Sequence, residues 1–224
     1  MQNFKNNTRY IKNWQGPHNL DILSLFFGTL LGDSHAELRS EKSVRFSLQQ
    51  ENSNCEYLFW FHKYLAERGY CSIKKPKLYK RIGTKGKIRF FYRINSYSYP
   101  NLIWFYNAFY KSIDESKNKI KIKHIPSNKY LNTFLTPLSL AVWIMDDGGK
   151  CSAGLKIATN SFTYNDLKRI IKFLYVKYKL ECSIIKTGHD NQFNIYFLKK
   201  TMPKLSKLIK PYIVPSMYYK LNNY

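Results

Sequence analysis

Leu140-Ala141-Val142-Trp143-Ile144-Met145-Asp146-Asp147-Gly148-Gly149 is the stretch that decides the fold. Its apolar run enters Asp-Asp-Gly-Gly, which predicts a buried helix whose C-terminal end delivers an acidic side chain. A second stretch, Phe26-Phe27-Gly28-Thr29-Leu30-Leu31-Gly32-Asp33, has the same form. The C-terminal end of a helix carries partial negative charge, so it disfavours a carboxylate. We therefore expect a cation beside Asp33 and beside Asp147.

The chain is strongly basic. Lys and Arg total 37 of the 224 residues against 14 Asp and Glu, which gives a net charge of +23. Such a surface repels itself unless a polyanion is near, so nucleic acid is the favoured partner. The 44% hydrophobic and 17% aromatic residues can form a sizeable core, which excludes a disordered chain. No apolar run approaches the roughly 20 residues of a membrane span, and no membrane partner is expected.

The pattern of the first half predicts helix, strand, helix, hairpin and helix. Their expected bounds are Asn19 or Asp21 to Gly32, Val44 to Gln49, Glu56 to Arg68, Ser72 to Arg81 with Lys87 to Asn95, and Pro100 to Tyr110. The hairpin should turn through Gly83-Thr84-Lys85-Gly86. In its second strand one face should be apolar, with Ile88, Phe90, Tyr92 and Ile94.

The second half predicts the same series. Thr136 and Pro137 are favoured residues for the start of the acidic helix, and Thr163-x-x-Asp166 can cap a later one. The expected bounds are 136–147 for the acidic helix, Leu155 to Asn160 for a strand, Tyr164 to Tyr178 for a helix, Cys182 to Lys199 for a hairpin, and Pro203 onward for a last helix.

The two halves are copies of one unit. Cys71-Ser72-Ile73-Lys74-Lys75 matches Cys182-Ser183-Ile184-Ile185-Lys186 after the middle helix of each half. The chain is therefore expected to be an α+β tandem duplication. Its predicted parts are an N-terminal arm (1–18), a first repeat (19–112), a lysine-rich linker (113–135) and a second repeat (136–224).

A nearly twofold protein suits a nearly twofold ligand, and duplex DNA is one. We expect the acidic helices to pack against each other through Gly28, Gly32 and Ala141, because small residues let two helices approach closely. That packing would set Asp33 and Asp147 side by side. Each hairpin would then offer a ribbon of about the width that a major groove admits.

The paired segments, 26–34 and 140–148, resemble the two motifs of the LAGLIDADG homing endonucleases, in the monomeric, duplicated form found with group I introns. The resemblance covers about Asn19 to Asn222. It implies an α+β fold of two pseudo-symmetric αββαββα repeats, with antiparallel sheets forming a DNA-binding saddle and the LAGLIDADG helices paired at the centre. It also implies that Asp33 and Asp147 are the catalytic acids.

Further site residues follow from this resemblance. Asp33 and Asp147 would bind Mg²⁺, as two or three ions shared with the DNA phosphates, with Gly32 and Asp146 in the same metal set. For Asp146 a solvated helix end is an equal alternative.

Four more residues would complete the two active sites. Gln50, just past the first strand, and Asn160, just past its counterpart in the second half, occupy matching positions and would position the attacking water, unless they are ordinary turn residues. Lys123 and Lys220 would polarise the scissile phosphate or the water, unless they are simply solvated or phosphate-contacting lysines.

The outward hairpin faces are the predicted DNA readers, because Arg and Lys suit guanine and phosphate while Asn and Gln suit adenine. The predicted set is Arg45, Lys75, Lys77, Arg81, Lys87, Arg89, Arg93, Asn95, Lys156, Lys186, Gln192 and Asn194. The first face is the more basic one, so the target should be asymmetric.

These features predict a monomeric, Mg²⁺-dependent, site-specific double-strand DNA endonuclease for intron homing. The resemblance implies that it cuts across the minor groove and leaves 3′ overhangs. Two alternatives stay open: an RNA maturase for its host intron, alone or combined with cleavage, and a DNA-binding regulator without catalysis. The abundance of Lys, Asn, Ile, Tyr and Phe suits an A+T-rich gene, which favours an organellar, mitochondrial origin.

Overall fold

The computed structural model describes residues 18–83, 86–115, 118–221 and 224. The predicted N-terminal arm therefore lies outside the described residues except for His18, as does the centre of the predicted turn at Thr84 and Lys85. The described residues form two compact units. The first contains residue 18 and residues 35–106, and the second contains residues 19–34 and 107–224.

The helices and antiparallel strands confirm the predicted α+β class. The helices are α1 (Leu20–Leu31), α2 (Cys55–Ala66), α3 (Ile103–Phe109), α4 (Asn128–Phe134), α5 (Pro137–Asp147), α6 (Tyr164–Tyr178) and α7 (Met202–Ile209). The strands are β1 (His35–Ser40), β2 (Ser43–Glu51), β3 (Leu78–Ile82), β4 (Ile88–Asn95), β5 (Tyr110–Glu115), β6 (Asn118–Lys123), β7 (Gly148–Cys151), β8 (Gly154–Ala158), β9 (Cys182–Lys186) and β10 (Phe193–Phe197).

The first unit contains a four-stranded sheet in the order β1-β2-β4-β3. Val44, Phe46 and Leu48 are buried on one face of β2, as their alternation predicts. The predicted apolar face of β4 is only partly buried, because Ile88 and Phe90 remain 55% and 47% exposed. No residue of β3 is buried, so this hairpin extends past the helices that cover the rest of the sheet.

The second unit contains a four-stranded sheet in the order β7-β8-β10-β9. This order repeats that of the first sheet, as a duplicated chain requires. Helix α6 packs against β9 and β10. Its Leu167, Ile170 and Leu174 are buried, and so are Ile195 and Phe197 of β10. Burial of these apolar side chains is the main force that holds the helix on the sheet.

Helices α1 and α5 pack against each other inside the second unit. Every residue from Ile22 to Leu31 and from Leu138 to Met145 is buried. A Cβ on Gly28 would lie only 2.3 Å from the backbone oxygen of Ser139. The predicted close approach at Gly28 is thus present, and its contact is with the backbone of the first turn of α5.

The stretch predicted as a linker, residues 113–135, is more structured than expected. It holds the end of β5, all of β6 and helix α4, and β5 pairs with β6 in a hairpin. All four cysteines are free thiols. Within the part of the chain that the structure describes, none of the helices has the length and apolar character needed to cross a membrane.

Candidate active site and nucleic-acid interface

Each acidic helix of the second unit ends beside a lysine. Lys123, the last residue of β6, donates from Nζ to the carbonyl oxygens of Gly32 (3.1 Å) and Ser34 (3.2 Å). Lys220 donates from Nζ to the carbonyl oxygens of Ile144 (3.1 Å) and Met145 (2.5 Å). A helix C-terminus leaves its last carbonyls without partners and carries partial negative charge, so it favours a cation. Mg²⁺ was the cation expected from the sequence, and each helix end also has an ammonium group beside it.

Both lysines are held in a largely dry environment. Burial lowers the pKa of Lys123 to about 8, although the carboxylates of Asp147, Asp146 and Asp33 oppose the shift. Lys220 is only 5% exposed, and burial lowers its pKa as well. Removing an ammonium from water disfavours its charged form, and nearby carboxylates favour it. The charge states of Lys123 and Lys220 therefore depend on those of the nearby aspartates.

The two predicted catalytic acids interact with each other. Burial, followed by the negative charge of Asp33, raises the pKa of the Asp147 carboxyl to about 7. Lys123 and Lys220 act in the opposite direction and favour the ionised form. Two neighbouring carboxylates repel each other when both are ionised. The positive charge of the two lysines is therefore not enough to keep Asp147 fully ionised at neutral pH.

Asp146 has a structural contact that was not considered from sequence. Its Oδ2 accepts hydrogen bonds from Thr29 Oγ1 (2.9 Å) and from the backbone N–H of Asp33 (3.3 Å). A Cβ on Gly32 would lie 2.5 Å from the Asp146 Cβ, so the glycine makes room for this side chain. Asp146 therefore fixes the chain at the end of α1, where Asp33 begins its turn.

Sequence reasoning missed Thr29 and Ser34 as parts of this site. Their hydroxyl groups lie 2.7 Å apart and are buried, and Thr29 also donates to Asp146. The sequence signal that could have identified Thr29 is a hydroxyl side chain, four residues before Asp33, in a mostly apolar helix. Thr29 lies in the last turn of α1, close to the end where Asp33 follows.

The strand registers correct the match between Gln50 and Asn160. Two residues after Asp33, His35 pairs with Ser47; two residues after Asp147, Gly149 pairs with Lys156. Three residues further along each strand are Gln50 and Thr159, so the position equivalent to Gln50 in the second unit is Thr159, one residue before Asn160.

The three side chains differ in environment as well. Gln50 is 5% exposed and accepts from Asn54 Nδ2 (3.1 Å), while the Thr159 hydroxyl donates to the carbonyl of Phe193 (2.7 Å). Asn160 lies in an exposed turn beyond β8. The predicted equivalence was therefore wrong by one residue.

The donor set suits a hard cation with an incomplete protein shell. Among the described residues, no group of three or more His, Cys, Asp or Glu side chains could hold a metal ion by itself. The oxygen atoms of Asp33 and Asp147 are of the type that Mg²⁺ prefers, and Mg²⁺ usually keeps waters and phosphate oxygens as its other ligands. A cation there would also favour the ionised Asp147.

Arginines and carboxylates share the outward face of the first sheet. Arg45 pairs with Glu37. Arg81 and Arg89 both donate to Glu51 Oε1, at 3.2 Å and 2.7 Å. These arginines, Arg89 first, keep the pKa of Glu51 below its ordinary value.

Phe91 lies on this same face and is only 8% exposed. It stacks on Tyr79 at 5.5 Å, and the guanidinium groups of Arg81 and Arg93 lie 5.8 Å and 5.7 Å from its ring centre. Arg93 also donates to Gln49 Oε1 at 2.8 Å. The strand registers put Asn95 on this face too. The predicted reading face is thus an ordered layer of arginines around one buried ring.

Three other predicted DNA readers of the first unit lie outside its strands. Lys75 and Lys77 are exposed but precede β3, which begins at Leu78 rather than at Ser72. Pro76 has no N–H to donate to a strand ladder, which explains the late start. Lys87 is exposed and immediately precedes β4.

The predicted readers of the second unit divide between different environments. Lys156 pairs with Tyr196, on the face opposite the buried Ile195. Asn194 shares that face but is 7% exposed, and its Oδ1 has no hydrogen-bond partner. Lys186 pairs with Phe193, which puts it on the face that α6 covers, and Gln192 precedes β10. Of these four, Lys156 has the position expected for a reader.

Comparison with known proteins places these features in a family. A profile of the LAGLIDADG DNA endonuclease family matches residues 23–205. The chain is 44% identical to cytochrome b mRNA maturase bI2 of Saccharomyces cerevisiae, over 97% of this chain and 51% of that protein. It is 35% identical to intron-encoded endonuclease ai4 of Dictyostelium discoideum, over 71% of this chain and 97% of that protein.

A solved structure agrees with these relatives. The homing endonuclease I-WcaI bound to its DNA recognition sequence matches with a TM-score of 0.74 and 26% identity, over 91% of this chain and 86% of that one. The chain spans about half the length of the yeast maturase. The family profile covers most of the chain, and both acids stand at the ends of its paired helices. The chain belongs to the LAGLIDADG DNA endonuclease family.

Proposed function

We propose that the chain is a site-specific endonuclease that makes double-strand breaks in DNA. The observation that carries this proposal is the arrangement of Asp33 and Asp147, each at the end of a buried helix and each under the charge of Lys123 and Lys220. Two acids, one for each strand of a duplex, account for two cuts. The net charge of +23 supports a polyanionic substrate.

We propose that Asp33 and Asp147 bind Mg²⁺, with two or three ions shared with the DNA phosphates. When bound, Mg²⁺ lowers the pKa of a water molecule and stabilises charge on the leaving oxygen. Gly32 and Asp146 stay in the proposed metal set, in which Asp146 Oδ2 also accepts from Thr29 and the Gly32 carbonyl also accepts from Lys123.

The lysines have a second role in this proposal. An ammonium group has three N–H donors, and two of those on Lys123 and on Lys220 are used by backbone carbonyls. One donor on each remains for a phosphate oxygen of the scissile strand. A preorganised cation in a dry site stabilises charge that develops in the transition state more strongly than one in water.

The outward sheet faces would bind the duplex in its grooves. The first face presents Arg45, Arg81, Arg89 and Arg93, whereas Lys156 is the cation among the four predicted readers that holds such a place in the second unit. This difference supports an asymmetric target. Cleavage across the minor groove with 3′ overhangs belongs to the same proposal.

Cleavage of a random duplex library in Mg²⁺, followed by sequencing of the ends, tests this proposal and also reports the overhang. Asp147→Asn should remove double-strand cleavage while binding of the selected duplex persists. Asp190→Asn makes the same chemical change in an exposed turn of the second hairpin and should leave cleavage intact. Retention of double-strand cleavage by Asp147→Asn refutes the assignment.

A second function, assistance to splicing of a host intron, is favoured by the identity to a protein named as a cytochrome b mRNA maturase. The names of the relatives also support an intron-encoded gene in an organelle, for which we propose the mitochondrion. A splicing assay of the surrounding intron transcript, with and without protein, tests this function. A splicing rate that the protein does not change excludes it.

A further inference from the structure

Helix α6 carries an exposed row of aromatic and cationic side chains. We call Tyr164, Lys168, Lys172, Tyr175 and Lys179 the tyrosine–lysine stripe. Tyr164 and Tyr175 are 44% and 52% exposed, and the three lysines are exposed as well. At about 100° per residue, the four residues within the helix fall in an arc of about 80°, and Lys179 follows at the C-terminal cap. From Tyr164 to Lys179 the stripe is about 22 Å long.

Most of the stripe points toward solvent, while the ring of Tyr164 at its N-terminal end lies 5.1 Å from the ring of Phe193 in β10. The opposite side of α6 buries Leu167, Ile170 and Leu174 against the face of β10 that carries Ile195. Lys156 lies on the other face of the sheet, so the sheet itself separates it from the stripe. A duplex lying along the Lys156 face cannot touch the stripe at the same time.

The charge of the stripe is uncompensated. Asp166 pairs with Arg169 at 2.8 Å, and Glu181 pairs with Lys200 at 2.6 Å. Over the ranges that the structure describes, no carboxylate lies within ion-pair distance of Lys168, Lys172 or Lys179. Three cations in a row along one ridge fit a chain of phosphates, since each phosphate contact releases condensed counterions.

The two tyrosines add a preference for unpaired bases. The ammonium groups of Lys168 and Lys179 lie 4.7 Å and 5.6 Å from the ring centres of Tyr164 and Tyr175. Exposed cation–π contacts are weak, so a base can displace the ammonium group from the ring. The displaced lysine can then bind a phosphate. Bases in a duplex are already stacked, whereas unpaired bases of RNA loops stack on exposed aromatic side chains.

We propose that the tyrosine–lysine stripe is an RNA-binding surface that takes a single-stranded loop, on the side of the second unit opposite its DNA face. The inference rests on the proposed function in splicing and adds the surface that would carry it. Because the two surfaces are separate, RNA binding and DNA cleavage can be removed independently.

A matched pair of triple variants tests the proposal. The stripe variant is Lys168→Gln/Lys172→Gln/Tyr175→Ala. The control variant is Lys204→Gln/Lys207→Gln/Tyr219→Ala, which makes the same changes at exposed positions of α7 and of the C-terminal segment. The probes are a short fluorescent RNA hairpin with an unpaired loop, a single-stranded DNA of the same sequence, and the duplex selected from the cleavage library.

The stripe variant should bind the RNA hairpin at least about tenfold more weakly than the control, because it loses a stacking partner and two phosphate contacts. Both variants should cleave the duplex at the wild-type rate, which also shows that they are folded. Equal RNA affinity of the two variants overturns the stripe assignment. So does a parallel loss of RNA binding and DNA cleavage, or tighter wild-type binding to single-stranded DNA than to RNA. If the wild-type chain binds no RNA, the splicing function fails too, while the endonuclease proposal stands.

Discussion

Replacing Gly28 by alanine tests the close packing of the paired helices. The new Cβ would lie 2.3 Å from the carbonyl oxygen of Ser139 and 2.9 Å from its carbonyl carbon. Both atoms belong to the backbone of α5, so no side-chain rotation relieves the overlap. An ordinary contact of this type needs at least 3.4 Å. The helices would therefore have to move apart by about 1 Å, since a tightly packed core has no spare volume to absorb the methyl group.

Two opposing effects set the magnitude. Alanine is favoured over glycine inside a helix by about 1 kcal/mol. Forcing an extra carbon into a packed core costs about 1–3 kcal/mol, and more where backbone must shift. Because the obstacle at Gly28 is backbone, we expect a net loss of about 2 kcal/mol, or about 30-fold in the unfolding equilibrium. A displacement of about 1 Å at the catalytic ends should also slow cleavage about 100-fold.

The midpoint of urea unfolding, followed by tryptophan fluorescence, measures the stability change. Gly149→Ala is the control for stability, because nothing lies within 4 Å of its new Cβ. We expect Gly28→Ala to lower the midpoint and Gly149→Ala to leave it nearly unchanged. If Gly28→Ala is as stable as the wild type, or more stable, then helix propensity decides this position and the close-packing argument is wrong.

Three further predictions concern charge and burial. The pKa of Asp147 is raised from 3.8 to about 7, so the folded state keeps a proton that the unfolded chain has lost, and stability falls as pH rises between these values. Without divalent ions, Asp147→Asn should therefore raise the melting temperature at pH values above this window and not below it; an equal difference on both sides would contradict this. Glu51→Gln should barely change stability, because its contact with Arg89 is exposed, but it should relax base preference in the sequenced library; an unchanged preference would show that the carboxylate does not orient the arginine. Burial raises the pKa of the Cys71 thiol to about 12, so iodoacetamide should modify Cys55 before Cys71, as mass spectrometry of the peptides would show.

The sequence predicted the described helices other than α4 well, because their signals are local; α4 lies in the stretch predicted as a linker. Thr136 and Thr163 accept hydrogen bonds from the backbone three residues later, as their positions predict. The apolar runs before Asp33 and Asp147 form helices that are buried almost throughout. A cap or an apolar run involves residues within a few positions of one another, so its energy can be judged without knowledge of the fold.

The strands were predicted less completely. Strand β1 was not located, because its apolar alternation is limited to Ala36 and Leu38 and five of its six residues are not buried. The alternation of β4 was correct as a pattern, but alternation does not tell how far a covering helix extends along a strand. The match of Gln50 to Asn160 failed for a similar reason, since it depends on registers that pair residues distant in sequence.

The sequence by itself determined that two acids stand at the ends of two buried helices in a duplicated, basic chain. The family resemblance assigned Lys123 and Lys220 to the active sites, but only the tertiary structure decided which atoms these lysines and Asp146 contact. Lys123 and Lys220 reach the helix ends from segments far along the chain, and Asp146 crosses to the other helix because Gly32 leaves space for it. Such contacts join groups that are distant in sequence, and their geometry follows from how the two helices pack rather than from any local pattern.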